Sequence, residues 1–169
     1  KLIRQYPYAT GLKTGSTSLA KYCVSATAEK DGIELIAVVM AAPDPAGRFA
    51  DATALLNYGY AKCSLYQDLE EQPLVTVPVR GGVQEEVLGE YDGTFSYLST
   101  TGEDLTAVEK KWYAVPELTA PVEEGQEIGK LTYTLGGQEI GSISILAGSA
   151  VEKAGYGHYL GKAFQYLLL

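Results

Sequence analysis

The sequence predicts a mainly β protein: a unit of strand, hairpin, strand and helix, then a small antiparallel β-sandwich and a C-terminal helix. Three observations carry this. Two strand-like runs flank Asp31-Gly32, a dipeptide that favours two-residue hairpin turns. Phe49, Ala52, Leu56 and Tyr60 recur at helical spacing. From residue 63 onward, short β-rich stretches alternate with glycine-containing breaks.

Taken in order, residues 20–28 alternate small or apolar with polar positions and read as the first strand of the hairpin. Residues 33–42 form an unbroken apolar run apart from Glu34, which reads as a strand buried on both faces. Pro43-Asp44-Pro45 ends it, and residues 47–60 follow as an amphipathic helix with Gly59 near its end. The β-rich stretches are 74–79, 85–90, 94–98, 105–115, 128–135 and 139–146. Gly136-Gly137 joins the last two as a two-residue turn. Residues 151–169 place Tyr156, Tyr159/Leu160, Ala163/Phe164 and Leu167 at three-to-four spacing, ending in Leu167-Leu168-Leu169. Three glycines there each weaken a helix by about 1 kcal/mol relative to alanine. Two readings stand for this tail: a helix packed on the sandwich, which the residues favour, or an amphipathic helix on a membrane surface. It is too short and too polar to span a bilayer. The expected domains are 1–62, 63–150 and 151–169.

The composition, 46% hydrophobic and 20% charged over 169 residues, is that of a globular protein and excludes a disordered one. Charge divides the chain. Residues 1–62 carry 7 Lys+Arg against 5 Asp+Glu, and residues 63–169 carry 6 against 16. A segment of net −10 excludes nucleic acid as its partner, because phosphate binding needs clustered cations. Two cysteines, Cys23 and Cys63, and a single histidine, His158, are too few for a structural zinc site, and neither a metal nor a cofactor is expected. Whether the cysteines pair is left open. Cys23, within an apolar run, reads as a small buried hydrophobe. The chain begins at Lys1 in mid-pattern and reads as a processed or cut piece.

One short motif carries chemistry. Lys13-Thr14-Gly15 stands directly before the apolar hairpin. An exposed edge strand there would present an ammonium, a hydroxyl and backbone groups along one line, which suits an extended peptide ending in a carboxylate. Gly15 leaves room for close approach. Arg48 is either a second cation for the same ligand or a solvated side chain at a helix start, and the residues do not discriminate.

These pieces resemble a known family. Thr10-Gly11-Leu12-Lys13-Thr14-Gly15, Tyr22-Cys23-Val24-Ser25-Ala26, residues 35–40, and Arg48 with Leu55-Leu56-Asn57-Tyr58-Gly59 are similar to the end of the catalytic domain of the serine D-alanyl-D-alanine carboxypeptidases, the low-molecular-mass penicillin-binding proteins. Ala120-Pro121-Val122-Glu123-Glu124-Gly125 resembles part of that family's C-terminal β-rich domain. The resemblance implies that residues 1–62 are a remnant of an α/β penicillin-recognising domain. It implies substrate-binding roles for Lys13, Thr14, Gly15 and Arg48, a peptidoglycan stem peptide ending in D-Ala-D-Ala as ligand, and β-lactams as ligands of the intact enzyme. It also implies a bacterial, extracytoplasmic place in the cell envelope.

Such enzymes use three motifs, Ser-x-x-Lys, Ser-x-Asn and Lys-Thr-Gly. The only asparagine, Asn57, has Leu55 two places before it, so no Ser-x-Asn exists. Ser18-Leu19-Ala20-Lys21 matches the first string but lies in a strand region. A catalytic Ser-x-x-Lys needs a helical turn to bring its lysine to its serine. No catalytic residue is therefore assigned, and the chain alone is expected to be inactive, with the nucleophile upstream. The competing reading is a non-catalytic cell-surface module. Two further expectations concern surfaces: peripheral membrane contact through 151–169, and self-association or partial disorder of residues 1–62, whose apolar strand faces lack partners.

Overall fold

The computed structural model describes residues 2–167. In chain order the elements are α1 (Leu2–Gln5), β1 (Ala9–Thr17), β2 (Lys21–Lys30), β3 (Ile33–Ala42), α2 (Gly47–Lys62), β4 (Ser64–Gln67), β5 (Val75–Arg80), β6 (Glu86–Tyr91), β7 (Ser96–Ser99), β8 (Glu109–Ala114), β9 (Leu118–Thr119), β10 (Glu127–Leu135), β11 (Gln138–Ala147) and α3 (Tyr156–Leu167). They form two compact units. The first takes the chain up to Tyr66 together with Leu98–Leu105, and the second takes Gln67–Tyr97 and the chain from Thr106 onward.

In the first unit, β1, β2 and β3 form an antiparallel sheet in that order. Asp31 and Gly32, with φ of 51° and 75°, make the two-residue turn, and Lys30 pairs with Ile33 across it. One sheet face packs on α2: Val24, Ala26, Ala28, Ala37 and Val39 meet Ala52 and Leu56. The alanines allow the helix to lie close, and Gly59 extends that approach, since a Cβ there would come within 2.6 Å of Leu35 Cδ1. Asp44 starts α2 by accepting the backbone N–H of Ala46 and of Gly47, both at 2.8 Å on Oδ1.

The other face of β3 departs from expectation. Ile36, Val38 and Met40 are 71%, 61% and 71% exposed, whereas Ile33, Ala37 and Val39 are buried. The strand is covered on one face only, the face on which α2 and the short α1 pack. An unbroken apolar run signals the wish to bury both faces without saying which partner does so.

The second unit has a six-stranded sheet in the order β8-β10-β11-β6-β5-β9, antiparallel except for the β5–β9 pair. β4 and β7 pair as a separate two-stranded sheet, most of it in the first unit. Gly136 and Gly137, with φ of 58° and 82°, turn β10 into β11, as only residues tolerant of the left-handed region do readily. Ile128, Leu131, Tyr133 and Ile145 are wholly buried on this hairpin, joined in the core by Val77, Val79, Val87 and Val151. The stretch expected as one strand over 105–115 is a 3₁₀ turn at Leu105–Ala107 followed by β8. Strands β4 and β9, of four and two residues, were too short to be read from periodicity.

This core also holds a charge. Asp68 is 6% exposed. Its carboxylate accepts Lys110 Nζ at 2.7 Å, Tyr133 OH at 2.7 Å and Gln72 Nε2 at 2.9 Å. Burial alone would raise the Asp68 carboxyl, but the hydrogen bonds from Lys110 and Tyr133 outweigh it and hold the group below the ordinary carboxylate range. Phe95 stacks on the Tyr133 ring at 3.9 Å between centroids.

The tail does not pack on the sheet in the manner favoured above. Tyr156, Tyr159, Leu160 and Phe164 of α3 are 86%, 53%, 49% and 58% exposed. Three glycines within 155–161 leave few side chains with which to make a packed face. The terminal Leu168-Leu169 lies outside the described residues.

Candidate functional site

Among the described residues β1 is an edge strand with β2 as its one ladder partner. In their register Lys13 faces Ser25, Thr14 faces Val24 and Gly15 faces Cys23. Alternation along the strand puts Lys13 and Gly15 on the open face of the sheet and Thr14 on the face covered by α2. All three residues are exposed. The outer edge of β1 leaves backbone N–H and C=O groups without a strand partner among the described residues, a template for an added extended chain. A Cβ on Gly15 would meet nothing within 4 Å, so no contact inside the protein demands glycine at this position.

The strand is held in place at both ends. Thr10 Oγ1 donates to Thr27 Oγ1 at 2.7 Å. At the other end Thr17 Oγ1 accepts the Ala20 N–H at 2.9 Å, closing the tight turn into β2. Ser18, Leu19 and Ala20 form that turn, and Lys21 opens β2 with a φ of 53°. Ser18 and Lys21 are therefore not on a helix, and the geometry of a nucleophile with its base is absent there.

α2 brings Arg48 to the same place. Arg48 Nη1 lies 3.4 Å from the Gly15 carbonyl oxygen and 3.5 Å from that of Cys23. Its Cζ lies 4.9 Å from the Phe49 ring centroid and 5.7 Å from that of Tyr22. A shallow cavity of about 350 Å³ is bordered by Lys13, Thr14, Gly11 and Arg48, with Leu2, Ile3 and Phe49. On the open face, a second depression of about 340 Å³ is bordered by Lys13, Gly15, Cys23, Ser25, Val38 and Met40. Two cations thus border one hollow at the strand edge, which suits an anionic group more than a neutral one. Nearby Asp44 keeps its negative charge readily: backbone N–H groups of Gly47 and Ala46 hold its carboxyl below the usual range.

Sequence reasoning missed the Tyr22 ring beside Arg48, because a contact across 26 residues leaves no local pattern, and it read the adjacent Phe49 only as part of the apolar helix face. Of the other candidates, Cys23 borders the open-face depression and offers its backbone carbonyl to Arg48. Cys23 and Cys63 are both free and half-buried. Cys23 is not the fully buried hydrophobe expected; at the end of the sheet its thiol reaches the Ala20 carbonyl at 3.3 Å. His158 sits on α3 against Tyr159. Among the described residues no group of three or more His, Cys, Asp or Glu could hold a metal ion.

Comparison with known proteins gives two family matches along the chain. Residues 1–44 match the D-alanyl-D-alanine carboxypeptidase family, and residues 65–153 match the penicillin-binding protein 5 C-terminal domain. Among curated relatives, D-alanyl-D-alanine carboxypeptidase DacF of Bacillus subtilis is 33% identical over 92% of this chain and 40% of its own length. DacA of Haemophilus influenzae is 31% identical over 94% of this chain and 40% of its own length. Among solved structures, penicillin-binding protein 5 of Haemophilus influenzae superposes with a TM-score of 0.65 at 28% identity, covering 90% of this chain and 45% of that one. The chain thus spans about 40% of the length of the curated relatives it matches.

Proposed function

The chain belongs to the penicillin-binding protein 5 C-terminal-domain family, and we propose that it is part of a serine D-alanyl-D-alanine carboxypeptidase that trims peptidoglycan stem peptides. In that reaction a serine attacks the D-Ala-D-Ala amide, D-alanine leaves, and water releases the acyl-enzyme. This chain carries the recognition half of the task. Lys13 supplies a charge and Thr14 a hydroxyl for the terminal carboxylate, Gly15 leaves the approach open, and Arg48 adds a second cation. β-Lactams would bind the intact enzyme by the same groups. The observation supporting this most directly is the convergence of Lys13, Thr14 and Arg48 on one hollow at an edge strand.

The test uses N-acetyl-D-alanyl-D-alanine and the chain itself. Its amides at residues 13–15 are expected to shift on titration, and Lys13→Met is expected to weaken binding by about tenfold, the effect of losing one charge-assisted bond. No covalent β-lactam adduct is expected by intact mass. An adduct on Ser18, or unchanged binding by Lys13→Met, would overturn the assignment.

Three finer readings accompany it. The working parts are 1–62 for recognition, 63–150 as a β-rich carrier and 151–169 as an amphipathic tail at the membrane surface, in an enzyme of the cell envelope. The exposed Tyr156, Tyr159, Leu160 and Phe164 support the last, while no helix among the described residues is long and apolar enough to cross a membrane. The uncovered Ile36, Val38 and Met40 support self-association of the first unit when nothing else covers them.

A further inference from the structure

We propose that Tyr22 and Phe49 form an aromatic clamp that sets the Arg48 guanidinium against the Gly15 end of β1, ready for a carboxylate. They are positioning residues, and the inference rests on reading Lys13, Thr14 and Arg48 as carboxylate binders. An arginine near a helix start ordinarily samples many rotamers. Here both rings lie within the roughly 6 Å over which an aromatic face attracts a cation, at 4.9 Å for Phe49 and 5.7 Å for Tyr22. Both rings also pack on the buried core of the first unit, so the clamp is anchored.

The hydrogen bonding of Arg48 is incomplete. Nη1 meets the Gly15 and Cys23 carbonyls at 3.4 and 3.5 Å, the weak end of the range. Nε is buried and has no acceptor. A buried N–H without a partner is uncommon and unfavourable, and calls for an explanation. The hollow beside it, bordered by Lys13 and Thr14, is where an acceptor would sit. A carboxylate there would take the Nε proton in a charge-assisted bond while the rings keep the guanidinium from swinging into solvent. Leucine at position 49 would fill similar space but offer no ring face.

The chain has three arginines, Arg4, Arg48 and Arg80, so their Nε–H groups can be resolved by nitrogen-15 spectroscopy. Arg48→Lys assigns the Arg48 signal. Without ligand, the Arg48 Nε–H is expected to be markedly more ordered than that of exposed Arg4, and Phe49→Leu should remove the difference. On titration with N-acetyl-D-alanyl-D-alanine the Arg48 signal should shift. Phe49→Leu should weaken binding about two- to fivefold, the worth of one cation–π contact, and Phe49→Tyr should restore it. An Arg48 as mobile as Arg4 in the wild-type chain overturns the clamp, whether or not any variant folds. So does Phe49→Leu binding as tightly as wild type. If the amides at 13–15 ignore the dipeptide while Arg48 is ordered by Phe49, the clamp stands and the carboxylate reading fails.

Discussion

The two compact units use antiparallel sheet in opposite ways. The first covers one face of β3 and leaves Ile36, Val38 and Met40 at 61–71% exposure. The second buries Ile128, Leu131, Tyr133 and Ile145 completely on a single hairpin. Strand geometry is the same in both; what differs is the supply of side chains to cover the second row. The first unit leaves the outer edge of β1 without a strand partner among the described residues and Lys13 exposed. The second closes on itself firmly enough to hold Asp68 against Lys110 inside its core. The proposed recognition edge and the self-contained core thus lie in different stretches of one chain, and substitutions should separate them.

The largest effect is expected from Tyr133→Ala. It deletes a fully buried ring, the stacking partner of Phe95 and a hydrogen-bond donor to Asp68. Loss of a buried aromatic costs about 3–5 kcal/mol. Residue-resolved hydrogen exchange should show amides of β10 and β11 losing protection while those of β2 and β3 keep theirs. Equal losses in both would mean that the units unfold together and that the contrast is one of shape alone.

Lys110→Met comes next. It keeps the aliphatic stem but removes the ammonium 2.7 Å from Asp68. Loss of a hydrogen bond to a charged group in a half-buried setting costs about 1.5–3 kcal/mol. The pH dependence sharpens the test. The folded-state carboxyl of Asp68 is lowered, so its contribution to stability is present above the ordinary carboxylate pKa and fades as pH falls through the folded value. Without Lys110 the carboxyl rises, and the acid loss should begin at higher pH. Denaturant unfolding at a series of pH values reads this directly; a variant with the wild-type acid profile would show that Lys110 is not what holds the charge.

These pairs explain what could be read from the sequence. Asp31-Gly32, Gly136-Gly137 and the helical spacing of Ala52 and Leu56 are local signals, and each sits where it was expected. That Lys13 to Gly15 lie on a strand beside the hairpin was legible because the hairpin follows directly in sequence, whereas their binding role is a proposal. Asp68 with Lys110 and Tyr133 was not, since the partners lie 42 and 65 residues away and a buried acid looks like any other in sequence. Tyr22 and Phe49 were read as apolar positions, which they are, but their second use depends on where Arg48 turns. The run 33–42 misled because hydrophobicity reports what a face would bury, not whether a partner is there.

The smallest effect tests that last point. Val38 and Val39 are neighbours with opposite fates, 61% and 8% exposed. Val39→Ser puts a hydroxyl into the α2-facing core and should cost about 1–3 kcal/mol. Val38→Ser, on the open face, should stay within about 0.5 kcal/mol, as surface substitutions generally do. Unfolding both variants at low and high protein concentration separates two causes. If Val38→Ser is neutral at every concentration, the open face is solvated in the free chain. If it destabilises only at high concentration, where light scattering also shows larger species in the wild type, the face is covered by a second copy, and the difference between the units becomes one of where the covering layer comes from rather than whether there is one.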